Sequence, residues 1–266
     1  MSLIAVLEAL ALPPEAKVEQ RIPKKLLIEQ GSPTAADKRQ IQDGIEELIW
    51  VAALKPTNIG VPVFRDAERE YLEVAVLTVH FRPNAKATRL LELIHRAIPY
   101  PVLLVASFLD ADKTSVGLSA AHKRFNQNEA GKFVVDEVLA TSAIALDTLP
   151  TPSTQAFLAA LSLSSQPSRD LFALYQGWVD CIIGLAASEI AGRFVLPTSP
   201  EQTHQIREFM RKRTLLLNDL SALRAQARKE KQMNRLVELN MSIKRLESQL
   251  AANQTLLTTL ESTPVI

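Results

Sequence analysis

The sequence predicts an α/β fold: a mixed sheet with flanking helices, then a helical region and a long C-terminal coiled-coil-like arm. Three observations carry this expectation. Two β-branched apolar runs, at 72–81 and 102–108, flank an amphipathic helical stretch at 85–97, which is the pattern of a βαβ unit. The chain has only 8 Gly and 5% aromatic residues, with abundant Leu and Ala, and this argues against an all-β sandwich or barrel. From Glu201 to Leu260 there is neither Gly nor Pro, and apolar residues recur at three- and four-residue spacing.

At the N-terminus, residues 3–11 read as a short amphipathic helix stopped by Pro13-Pro14, and Pro23 keeps Ile22 extended. Leu26 to Gln30 makes about one helical turn, closed by Gly31. Thr34 is placed to cap the next helix, with Asp37 three residues on. Apolar positions at Ile41, Ile45, Leu48, Ile49 and Ala52 predict that this helix continues to Leu54, before Pro56.

Residues 72–81 predict a strand near the middle of a sheet, 85–97 a helix ended by Pro99-Tyr100-Pro101, and 102–108 a buried strand parallel to the first. Thr114 to Ala120, after the turn Asp110-Ala111-Asp112-Lys113, predicts a strand close enough in sequence to pair antiparallel. At least one further strand is expected within 133–146. Ser153 to Leu163 and Asp170 to Phe194 read as helices, with Gly177 and Gly184 permitting close packing, and Pro197 and Pro200 mark a boundary. The expected division is an α/β domain at 1–198 and a helical arm at 199–262.

In the arm, Ile206, Phe209, Leu216, Leu220, Leu223 and Ala227 form one seam. Leu236, Leu239, Ile243, Leu246, Leu250, Leu257 and Leu260 form another, with Asn253 polar in it. Leu216, Leu220, Leu223, Leu239, Ile243 and Leu246 are the expected interface. The two registers differ by about half a helical turn across residues 228–234. One unbroken helix would move the stripe to another face, whereas a hairpin would avoid this; against a turn, nearly every residue there tolerates helix. Both arrangements stand open.

Composition bounds function loosely. With 30 Lys plus Arg against 29 Asp plus Glu, the net charge of +1 steers the chain to neither nucleic acid nor anionic membrane. The N-terminal segment has no basic region ahead of an apolar one, and no run reaches the roughly 18 uncharged apolar residues of a membrane span. The expected location is the cytoplasm, without membrane association. The lone Cys181 sits in an apolar run and reads as a packed core thiol.

Chemical motifs are sparse. His80, His95, His122 and His204 show no zinc-type spacing, and His95, beside Arg96, reads as a surface or satisfied histidine. Ser119 and His122 lie three apart without a triad signature. No phosphate-binding glycine loop can be built, so no cofactor and no metal is expected. Asp66, Glu68, Glu70 and Glu73, with Lys113 or Lys123, supply the residue types of a restriction-type nuclease without its spacing. Two basic clusters, Lys24-Lys25 and His122-Lys123-Arg124, are the candidate phosphate- or partner-binding residues, the latter expected at an exposed strand end. Between Glu201 and Leu250 the arm carries eleven basic and six acidic residues, which suits a DNA backbone or a solvated helical face.

Several segments together resemble one family. They are Arg21-Ile22-Pro23-Lys24-Lys25-Leu26-Leu27, Thr34-Ala35-Ala36-Asp37-Lys38, 45–50, Leu54-Lys55-Pro56, 94–101, 118–124, 229–235 and 238–240. The chain is similar, over nearly its whole length, to the bacterial and archaeal domain of unknown function 4391 family. That resemblance implies no activity and no catalytic residue. It implies a setting: companions of helicases and DNA methyltransferases in phage-defence or restriction-like systems. The expected function is a non-enzymatic accessory or assembly subunit, with a helicase or methyltransferase subunit as protein partner and DNA contact open. The rival expectations are a metal-dependent nuclease with an unrecognised site, and a scaffold that homodimerises through the arm.

Overall fold

The computed structural model describes residues 3–31, 33–110, 113–127, 129, 133–141, 144–145 and 151–262; the side chains of 110, 113, 144, 145 and 256–262 are outside it. The chain divides into two compact units, Met1–Ala186 and Ala187–Ile266.

In the first unit, α1 (Leu3–Ala9) precedes β1 (Lys17–Arg21) and α2 (Lys24–Gln30), whose end is closed at Gly31. Helix α3 (Ala35–Gly44) opens as its sequence predicts. The Thr34 hydroxyl accepts from the Asp37 amide at 3.2 Å while Asp37 accepts from the Thr34 amide at 3.1 Å, a reciprocal capping box.

The expectation that this helix continues to Leu54 is wrong. It ends at Gly44, and Ile45–Leu54 is a ten-residue strand, β2. The backbone is closely packed there, since a Cβ on Gly44 would lie 2.8 Å from Leu90 Cδ1. The helix-like spacing has a physical origin. Strand β2 is bulged between Ile45 and Glu47 and between Trp50 and Ala52, and each bulge breaks the two-residue alternation of a regular strand.

After α4 (Pro56–Ile59), the short strands β3 (Phe64–Arg65) and β4 (Glu70–Tyr71) form a separate hairpin. Strand β5 (Val74–Phe81), helix α5 (Ala87–Ala97) and strand β6 (Val102–Asp110) form the expected βαβ unit, with β5 and β6 parallel. Strand β7 (Lys113–Ala120) returns antiparallel to β6. Residues 111 and 112 of the expected turn lie outside the described residues. Strands β8 (Lys123–Phe125) and β9 (Phe133–Val135) pair with each other, while β10 (Leu139–Ala140) and β11 (Ile144–Ala145) both pair antiparallel with β7. The main sheet is therefore mixed, in the order β1-β2-β5-β6-β7, with β10 and β11 on the far edge. Residues of α5, including Leu90, Leu93 and Ile94, pack with Leu77, Val79 and Leu104 of the central strands to make its core.

Helices α6 (Pro152–Ala160) and α7 (Leu171–Ala191) follow. The Tyr175 hydroxyl accepts from the Ala121 amide and donates to the Val102 carbonyl, both at 2.8 Å, tying α7 to the strand ends. Gly177 fits its predicted role, because a Cβ there would sit 2.8 Å from Pro167 Cδ. Cys181 is buried, and desolvation pushes its thiol up to about 12, as befits a packed thiol. By length and composition α7 can span a membrane, but 72% of its apolar window is buried inside the protein, and a core helix passes the same test.

In the second unit, α8 (Pro200–Lys229) and α9 (Met233–Ser262) pack along each other as a hairpin, which resolves the register slip. The turn needs no Gly or Pro, because the Glu230 carboxylate accepts from the amides of Lys231 and Gln232, each at 2.8 Å, at the start of α9. Leu216 and Leu220 are buried, while Leu223, Leu239, Ile243 and Leu246 are half-buried among exposed neighbours.

Candidate functional site

The five basic candidates do not form one surface. At the start of α2, Lys24 Nζ donates to the Gln42 carbonyl at 2.9 Å, and burial followed by the nearby Arg82 charge lowers its pKa. Lys25 makes an exposed ion pair with Glu29 at 3.4 Å, of little energetic weight. His122 is held from both sides: Nδ1 lies 2.6 Å from the Tyr71 hydroxyl and Nε2 lies 2.8 Å from Gln176 Oε1. Its ring packs among Tyr71, Phe172 and Tyr175 at centroid distances of 5.1–6.0 Å. Arg124 pairs with Asp136, 3.1 Å away, and Asp136 also meets Arg69 at 2.7 Å.

Lys123 corrects the expectation of an exposed strand end. It is only 2% exposed, and its Nζ donates to the main-chain carbonyl of Ile98. The reason is strand alternation. On β8 the side chain of Lys123 turns inward beneath the end of α5, while Arg124 reaches Asp136 at the half-exposed surface. Desolvation brings the amine down to about 7, close to the pH at which it gains or loses its charge.

His95 likewise departs from its reading as a surface or satisfied residue. It is fully buried, four positions beyond Leu91 on the apolar side of α5. Nε2 lies 3.0 Å from Ser119 Oγ, and Nδ1 has no hydrogen-bond partner among the described residues. Burial, reinforced by the Lys123 charge, lowers the imidazole to about 3, so it is neutral at physiological pH. Ser119 thus meets His95 rather than His122.

His95 and Lys123 line a common cavity of about 500 Å³, with Arg96, Gln30, Trp50 and Tyr100 also in its wall. The Trp50 and Tyr100 rings lie 6.0 Å apart, inclined at 53°. Sequence reasoning named Lys123 as a phosphate- or partner-binding candidate but placed it at an exposed strand end and did not join it to His95. A usable signal was present in His95, a titratable group on the apolar stripe of α5.

The acidic nuclease candidates are engaged separately. Asp66 accepts from the amides of Glu68 and Arg69 within its own turn, Glu70 pairs with Arg65, and Glu73 pairs with Lys55 at 3.0 Å. Lys113 is placed by its backbone only, in the β6–β7 ladder. Among the described residues no three His, Cys, Asp or Glu side chains converge as a metal-binding group. His80 pairs with Ser107 at 2.6 Å, and His204 is exposed on α8.

On the hairpin, Met233, Val237 and Met241 are 72%, 51% and 68% exposed. Their four-residue spacing puts them on one side of α9. Arg228, Lys229, Lys231 and Arg235 are exposed at the same end of the hairpin.

The sequence profile of a family described as domain of unknown function (DUF4391) matches residues 10–250. No curated protein and no solved structure matches the chain.

Proposed function

We propose that this chain, which belongs to the domain of unknown function 4391 family, is a non-enzymatic accessory subunit that assembles with a larger protein of a DNA-processing system. The single observation that carries this reading is the stripe Met233, Val237 and Met241. Three large apolar side chains on one side of a helix are unfavourable in water and favourable against an apolar partner. The basic residues Arg228, Lys229, Lys231 and Arg235 around the hairpin end select a partner surface that is apolar at its centre and acidic at its rim. The hairpin would join that partner in coiled-coil fashion. The setting implied by the family resemblance, a phage-defence or restriction-like system, makes a helicase or methyltransferase subunit the partner of choice.

Affinity purification of the tagged chain from its native host, followed by mass spectrometry, tests this. A helicase or methyltransferase subunit should co-purify with the wild type and be lost from a Met233→Glu/Val237→Glu/Met241→Glu variant that keeps its helical content. Recovery of the same partner by both chains would reject the stripe as the docking surface. Metal-dependent cleavage of DNA by the purified chain would replace the accessory reading with a nuclease. A homodimer that the triple variant abolishes would replace it with a self-assembling scaffold.

A further inference from the structure

The buried amine of Lys123 is the feature that the assembly reading leaves unused. A buried ammonium is strongly unfavourable without a counter-charge, and buried charges are normally paired. The Lys123 amine bonds a main-chain carbonyl, and among the described residues lining its cavity none is a carboxylate.

From α5 come His95, which is neutral, and Arg96, which is exposed; Tyr100 follows on the segment after α5. Gln30 from α2, Trp50 from β2 and Phe133 and Val135 from β9 bring no charge. Arg69, paired with Asp136, meets Lys123 at its main-chain carbonyl, at 3.4 Å. The cavity wall therefore carries two basic side chains, Lys123 and Arg96, and two aromatic rings. Its volume of about 500 Å³ is that of a small-molecule site.

We propose that this cavity binds a small organic anion of the carboxylate class with a flat apolar body, its carboxylate paired with Lys123 and its ring against Trp50 and Tyr100. The missing counter-charge is then supplied by the ligand, and Arg96 favours the approach of an anion. Pairing stabilises the ammonium, so an amine that titrates at about 7 in the free protein takes up a proton when the anion binds above that pH. Affinity consequently weakens as the pH rises further.

Isothermal titration of the full chain with 2-naphthoate and with its neutral isostere 2-naphthamide, at pH 8 in two buffers of different ionisation enthalpy, tests this. Naphthoate should bind at least about tenfold more tightly than the amide and take up close to one proton. In Lys123→Met, which keeps an unbranched side chain of similar length, this preference and the proton uptake should vanish. Equal affinity for acid and amide, binding without proton uptake, or no saturation by naphthoate at about 10 mM would each overturn the proposal. The acid–amide comparison and the proton count use the wild-type chain alone, so they decide the matter even if the variant does not fold.

Discussion

The amine of Lys123 donates to the carbonyl of Ile98, the residue that closes α5, so the buried charge is satisfied by a neutral oxygen rather than a carboxylate. Its pKa is about 7 folded and 10.5 as the ordinary value. Between these limits the unfolded chain binds more protons than the native one, so stability rises with pH from 7 toward 10.5 at this site. The full effect is on the order of 3–5 kcal/mol. Lys123→Met should therefore raise the melting temperature at pH 7 and flatten its rise up to pH 9.5, as read by calorimetry. A lower melting temperature at pH 7 in the variant would sink this account.

His95 acts in the opposite pH range. Its folded pKa of about 3 lies below the ordinary 6.5, so the unfolded chain gains the proton first as pH falls. Stability present above pH 6.5 is lost progressively toward pH 3, by about 2–3 kcal/mol at pH 4.5. Replacing the buried pair together, His95→Leu with Ser119→Ala, avoids leaving an orphaned hydroxyl and should reduce this acid sensitivity. Urea midpoints at pH 7 and pH 4.5 read the difference.

At the start of α3, Asp37 links a helix cap to α5. It completes the Thr34 capping box and accepts from Arg89 at 3.0 and 2.9 Å. The Arg89 hydrogen bonds, aided by Thr34, hold its carboxyl far below the usual range, so this contribution is present above pH 4 and is lost only in strong acid. Thr34→Ala should cost about 1 kcal/mol. Asp37→Ala should cost more, since it also removes Arg89's bidentate partner. Equal thermal melts for the two variants would show that the inter-helix contact adds nothing.

Two apolar classes on the hairpin should respond differently. Leu220→Ala removes a buried seam side chain and should destabilise the second unit by about 2 kcal/mol. Met233→Glu changes an exposed one and should stay within about 0.5 kcal/mol. Circular-dichroism melts compare them; a large loss from Met233→Glu would mean that the stripe supports the fold rather than docking.

Much of the fold was legible along the chain because local patterns and tertiary packing agree there. The β-branched runs of β5 and β6, the period of α5, the Thr34 cap and the leucine seams of α8 and α9 all specify their elements by side-chain spacing alone. Strand β2 was not legible, since its bulges disturb the alternation that marks a strand and leave apolar spacings that mimic a helix. The hairpin was only half legible: the register slip raised it, but Glu230 closes the turn with a carboxylate where sequence patterns look for Gly or Pro, so one unbroken helix stood beside it. The candidate cavity belongs wholly to the tertiary structure. Strand pairing and the packing of α5 turn Lys123 inward beside His95, 28 positions earlier in the chain, and only that convergence removes water from both groups. The sequence alone determined which segments become helix or strand wherever a single periodicity prevails. Burial decided which of its charged residues lose their solvent, because desolvation depends on neighbours brought from distant elements rather than on the residues adjacent in sequence.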